Sequence, residues 1–172
     1  NGNNTVTTSS GDDIVTFGMG IDIVSTGSGA DIITVASGAL DQNDTLTAGA
    51  GADILKVSSD ATIRDSDFTN VTGLETLTTS ATAVNITATL GAKAAAAGIT
   101  TVTLTDAGAA NTLTVGAGFT TALAIAVSSD AAAGDVIDLT GYTKAATITM
   151  SSANADDNAS TITGGSGTDT LS

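Results

Sequence analysis

Aliphatic residues recur at fixed intervals along the first third of the chain: Val6, Val15, Val24 and Ile33 at steps of nine, then Leu46 and Leu55 after a step of thirteen. Two positions before each stands a short polar residue, in order Asn4, Asp13, Asp22, Asp31, Asp44 and Asp53. Two positions before those stands glycine at Gly2, Gly11, Gly20, Gly29 and Gly51, with Gln42 the exception. A second glycine column, Gly18, Gly27 and Gly49, lies two residues further back. The unit is therefore G-G-x-G-x-D-x-U-x, with U a large aliphatic. It returns complete as "GGSGTDTLS", 164–172, which carries Gly165, Gly167 and Asp169.

Nine residues suit half a coil of a parallel β-roll, six forming a turn and three a short strand. Two nonamers then make one coil, so alternate units stack. One edge is expected to carry Asn4, Asp22 and Asp44, the other Asp13, Asp31 and Asp53. Glycine permits the tight positive-φ turn, and the extra residues near Ala36–Ala39 are expected to disturb the site at Asp44.

The nonamer fades after Asp60, but alternating or short aliphatic runs continue. Strands are predicted at 74–79, 84–90, 100–105, 111–115, 122–127, 135–140 and 146–150, separated by small turn residues. "GAKAAAAG", 91–98, is the one stretch suited to a helical turn. The fold class is all-β: a β-roll continuing into a β-solenoid, whose units bury their faces by stacking. A β-roll followed by a β-sandwich is the alternative. The division expected is 1–58 for the roll, 59–155 for a Thr/Ala-rich solenoid region, and 156–172 for a further repeat run. The chain opens inside a repeat at "NGNN" and stops inside another, so it reads as a piece of a longer protein.

Charge sharpens the picture. Eighteen acids face four bases, a net −14, and every acid but Glu75 is Asp. Such a surface disfavours nucleic acid and anionic membrane as partners and favours divalent cations. A short carboxylate in a glycine turn offers hard oxygen, and oxygen-only cages suit Ca²⁺ over Mg²⁺, Zn²⁺ or Cu²⁺. The candidate metal residues are Asn4, Gly11, Asp13, Gly18, Gly20, Asp22, Gly27, Gly29, Asp31, Asp44, Gly49, Gly51, Asp53, Gly165, Gly167 and Asp169. Stacking gives two gaps per edge and so about four Ca²⁺ ions in 1–58, with an additional site near 156–169. Asn4, being neutral, is the weakest ligand. Asp106, Asp130, Asp135, Asp138, Asp156 and Asp157 are read as solvated turn residues, with Asp156, Asp157 and Asn158 the candidate exception.

Catalysis finds little support. The chain has no His and no Cys, so the usual general base and the thiol nucleophile are missing. No phosphate-binding loop or nucleophile elbow is present. Phe17, Phe68, Phe119 and Tyr142 are too scattered along the sequence to form a sugar platform, and Lys56, Arg64, Lys93 and Lys144 too dispersed for a basic patch. No stretch reaches the roughly 20 apolar residues of a membrane-spanning helix.

Residues 1–56 and 160–172 resemble the RTX (hemolysin-type) calcium-binding repeats of secreted Gram-negative proteins. The order of segments in "ADILKVSSDATIRDSDFTNVTGLETLTTS", Ala52–Ser80, with Gly73-Leu74-Glu75-Thr76-Leu77 leading into Thr/Ala-rich strands, is similar to RTX-type surface-layer (S-layer) proteins of the Caulobacter kind. That resemblance implies a structural, metal-binding lattice protein at the cell surface. It implies type I secretion without a cleaved leader, folding and self-assembly on extracellular Ca²⁺, and a cell-surface polysaccharide anchor elsewhere in the full chain. The alternative function is a repeat segment of a large secreted RTX adhesin.

Overall fold

The computed structural model describes residues 2–80, 84–105, 110–127, 134–150 and 160–172. Among these residues the chain winds as a parallel β-solenoid, and every strand pairing is parallel. One side stacks β1 (Thr5–Thr7), β3 (Ile23–Ser25) and β5 (Thr45–Thr47); the other stacks β2 (Ile14–Phe17), β4 (Ile32–Val35) and β6 (Ile54–Val57). Thr5 pairs with Ile23 and Ile14 with Ile32, so the first coil is two nonamers long. The next rung pairs Ile32 with Ile54, a coil lengthened by the residues inserted before Asp44. The strand register survives because the extra length is absorbed in turns over 37–43.

The side of β1, β3 and β5 changes hands after the third coil. There β6 is followed by β7 (Ala61–Ile63), a 3-10 turn (Asp65–Phe68) and β8 (Val71–Thr72). β8 completes the sheet β1-β3-β5-β8, while β7 founds a new one. That new sheet runs through β10 (Ile86–Leu90), β12 (Thr112–Val115), β14 (Val136–Asp138) and β16 (Thr161–Thr163). The long sheet continues unbroken from β6 through β9 (Thr76–Thr79), β11 (Thr101–Leu104), β13 (Leu123–Val127), β15 (Ala146–Met150) and β17 (Thr170–Leu171). Helix α1 (Ala92–Ala97) lies against β8 and the 3-10 turn. Its first turn is held by Asp65 from the neighbouring coil, whose Oδ1 accepts from the amides of Gly91 at 2.8 Å and Ala94 at 2.9 Å. Leu74 N donates to Ala97 O at 3.0 Å, tying the other end of the helix to the turn between β8 and the next strand.

Within each strand the period of two separates the faces. The aliphatic column Val15, Val24, Ile33, Leu46 and Leu55 is buried, and Val6 packs half-buried at the end of the same core. Thr occupies many outward positions, where its branched Cβ suits the pleat. The core runs continuously from the repeat coils to Ile148. Phe17, Phe68, Phe119 and Tyr142, far apart in sequence, are all buried in it. Phe119 and Tyr142 meet edge to face with centroids 6.0 Å apart, and the Tyr142 hydroxyl donates to the carbonyls of Thr121 and Ala145.

All seven strands expected between 74 and 150 form, 146–150 over its full length and the other six shorter by one to three residues, and 91–98 does hold a helix. The coils after Asp60 stack on the roll rather than forming a separate sandwich. The reading of Asp135 as a solvated turn residue is wrong: it is 2 % exposed and its Oδ1 accepts from the Asn111 amide at 2.8 Å. Asp138, half-buried at the end of β14, folds its carboxylate onto the Thr140 amide and hydroxyl. Asp106, Asp130, Asp156, Asp157 and Asn158 lie outside the described residues.

Candidate metal centre

Stacking brings the repeat acids together as the spacing demands. On one edge the Asn4 amide donates to Asp22 Oδ1 at 2.7 Å, and the Asp22 amide to Asp44 Oδ1 at 2.8 Å. On the other the Asp13 amide donates to Asp31 Oδ1 and the Asp31 amide to Asp53 Oδ1, both at 2.8 Å. Asp22, Asp31, Asp44 and Asp53 thus each reach back one coil and bind the amide of the preceding repeat residue.

The glycines let the turns nest. A Cβ at Gly27 would lie 1.8 Å from Ser9 O, and one at Gly49 would lie 1.8 Å from Gly27 O. Gly20 sits on Gly2, Gly29 on Gly11 and Gly51 on Gly29 in the same manner. Gly18 is half-buried in the turn that leads into Asp22. The turns therefore approach backbone to backbone, which brings peptide groups and the repeat carboxylates together between them.

The second carboxylate oxygens are the unusual feature. Oδ2 of Asp13, Asp22, Asp31 and Asp53 is buried without a hydrogen-bond partner, and Asp22, Asp31 and Asp53 are fully buried as residues. A buried, unpartnered carboxylate oxygen is costly, and buried charges are normally paired or bound to metal. Burial pushes the Asp53 carboxyl above its ordinary value, and the charges of Asp31 and Glu75 push the same way. Among the described residues no three acidic side chains converge on one point. Any cage here joins one or two carboxylates to backbone carbonyls, an oxygen-only donor set that fits Ca²⁺.

Two sites named from the sequence differ from the rest. Asp44 also rises in pKa through burial, but its Oδ2 accepts from the Asp41 amide at 2.8 Å. The insertion thus supplies a donor where the other repeats leave the oxygen bare. Asp169 is likewise engaged at both oxygens, by Ala146 N at 3.1 Å and Gly165 N at 2.9 Å. Gly165 and Gly167 press on the carbonyls of Tyr142 and Lys144, nesting as the early glycines do but on a turn that lacks the repeat.

The profile of the RTX calcium-binding nonapeptide repeat matches the chain in four copies, at 1–24, 18–39, 27–60 and 153–172. These are RTX calcium-binding repeats. Neither a curated protein nor a solved structure matches the chain significantly. RTX repeats bind Ca²⁺, and the four copies fit about four ions. They are typical of secreted proteins, and among the described residues no helix is long and apolar enough to cross a membrane.

Sequence reasoning missed one member of the ladder. The Asp53 amide donates to Glu75 Oε2 at 2.8 Å, so the chain's single Glu takes the next rung after the last repeat Asp. The signal available was spacing: Glu75 follows Asp53 by the same interval as Asp53 follows Asp31.

Proposed function

We propose that the chain is a calcium-ordered structural segment of a bacterial surface-layer lattice, folding and assembling outside the cell. The observation that carries the calcium dependence is the set of four buried, unpartnered oxygens at Asp13, Asp22, Asp31 and Asp53. Four divalent ions would cancel more than half of the net −14. Each site held at about a hundred times its Kd would contribute roughly 2.7 kcal/mol, and four together would rival the roughly 5–15 kcal/mol stability of a whole domain. Extracellular calcium modules bind at about 10⁻⁴–10⁻³ M, so the roll stays loose in a low-calcium cytosol and closes after type I secretion.

The role is structural rather than catalytic. Asp22, Asp31, Asp44 and Asp53 spend carboxylate oxygens on neighbouring amides, and the chain brings neither His nor Cys. A lattice role is supported by the continuous stack, whose rungs repeat along one axis with Thr-rich outward faces suited to copy-to-copy contact.

Electron microscopy of the full-length protein tests this reading. Two-dimensional sheets that form with calcium and dissolve in EDTA support it. Isolated rods under both conditions reject the lattice and favour the RTX adhesin.

A further inference from the structure

The last segment that matches the nonapeptide profile in the first half of the chain ends at residue 60, yet the acidic ladder does not stop there. We propose that Glu75 is a calcium ligand, completing a further site in the gap between the turn that ends at Asp53 and the turn that ends at Glu75. This rests on the calcium reading above and extends it by one coil.

Register is the first support. Asp31, Asp53 and Glu75 each immediately precede a strand of the long sheet, and the residues after them, Ile32, Ile54 and Thr76, pair in successive rungs. The Asp31 amide meets Asp53 Oδ1 at 2.8 Å, and the Asp53 amide meets Glu75 Oε2 at the same distance. Glu75 therefore holds, in the fourth coil, the place beside the strand that Asp53 holds in the third.

The backbone contact continues although the turn is shorter, two residues at 73–74 where the previous coil has five at 48–52. Two residues before Asp53, Gly51 presses on Gly29 O. Two residues before Glu75, Gly73 has a positive φ of 73°, and a Cβ there would lie 2.6 Å from Gly49 N and 2.7 Å from Gly49 O. The close backbone approach that lines the earlier gaps with peptide oxygen thus continues into this one. Leu74 turns inward and is fully buried, and the additional methylene of Glu lets its carboxylate still reach the Asp53 amide.

The independent observation is Asp53 itself. It is fully buried, and its Oδ2 has no partner. Its own Oδ1 accepts from the Asp31 amide and its amide donates to Glu75 Oε2, so the acids of two neighbouring coils bracket it. Like charges stacked in line oppose one another, and a cation held between them removes that repulsion. A purely structural rung needs no charge: further along the solenoid the neutral Asn111 Oδ1 accepts from the Ile86 amide at 3.0 Å and fills an equivalent role.

The difference between a rung and a ligand is open to measurement. E75Q keeps an oxygen to accept from the Asp53 amide but removes the charge. Isothermal titration with calcium on the whole chain is expected to give one ion fewer, or one site weakened at least tenfold, while D13N removes a different site and the double variant loses both. An E75Q protein with the wild-type number of ions and wild-type affinities overturns the proposal. Wild-type protein that takes up no calcium overturns the calcium reading together with it. If E75Q fails to fold at moderate calcium, circular dichroism decides: a folding midpoint moved to higher calcium supports ligation, and a failure independent of calcium overturns it.

Discussion

The backbone amide of Asp31 donates to Oδ1 of Asp53 at 2.8 Å, while Oδ2 of the same Asp53 lies buried with no partner. The carboxylates of Asp22, Asp31 and Asp53 are thus half satisfied by the chain, and the other half waits for a cation. Asn can supply the first half alone, as Asn111 does. D31N is therefore expected to raise the thermal midpoint in EDTA, because it removes a buried charge. It is also expected to lose roughly 2.7 kcal/mol of the gain seen at calcium a hundred times the Kd. Differential scanning calorimetry in both buffers measures the two effects.

Nesting of the turns makes glycine positions unequal. At Gly49 a Cβ would sit 1.8 Å from Gly27 O, whereas at Gly38 nothing lies within 4 Å, although both have positive φ. G38A is expected to cost about 1 kcal/mol, from backbone strain alone. G49A must push two coils apart and is expected to cost about 3 kcal/mol or more. Thermal unfolding in saturating calcium compares them.

Acidity acts in opposite directions with and without the ion. Burial, reinforced by neighbouring acids, holds Asp44 and Asp53 above the ordinary 3.8. A raised carboxyl favours the folded state fully below its unfolded value, and that contribution is lost as pH rises through the folded value. In EDTA the midpoint should therefore climb on acidification from neutral toward 3.8. Asp138, lowered by its bonds to Thr140, opposes this only when pH falls further, toward its own depressed value. In calcium the sign reverses, because ligands must be ionised. Midpoints across a pH series in the two buffers should cross.

Helix α1 depends on a cap from another coil. Asp65 accepts from the amides of Gly91, Lys93 and Ala94, and Gly91 at the helix start has no side chain to take over. D65A is expected to cost about 1–2 kcal/mol and to raise amide exchange at 92–97, with no effect on calcium affinity.

Much of this was legible because the repeat is rigid in sequence. Once glycine, aspartate and aliphatic columns are in phase, parity alone assigns Asn4, Asp22 and Asp44 to one edge and Asp13, Asp31 and Asp53 to the other. The strands at 84–90 and 146–150 were equally plain, since alternation over five residues leaves little else to form. What escaped lies where tertiary context overrides local pattern. β8 is two residues long and has no period to read. Asp135 sits in a local sequence that suits a wet turn, and only the Asn111 amide one coil away explains its burial. The closing of Asp44 by Asp41 needed the inserted turn's actual path.

Amide hydrogen exchange over 2–58, with calcium and then with EDTA, tests the central claim most directly. Bound ions should protect the rung amides of Asp13, Asp22, Asp31 and Asp53 in calcium. Removing the ions should release them while strands β10 to β15, whose described rungs include Asn111 and Asp135, keep most of their protection. Equal protection of the four amides in both buffers would contradict the account.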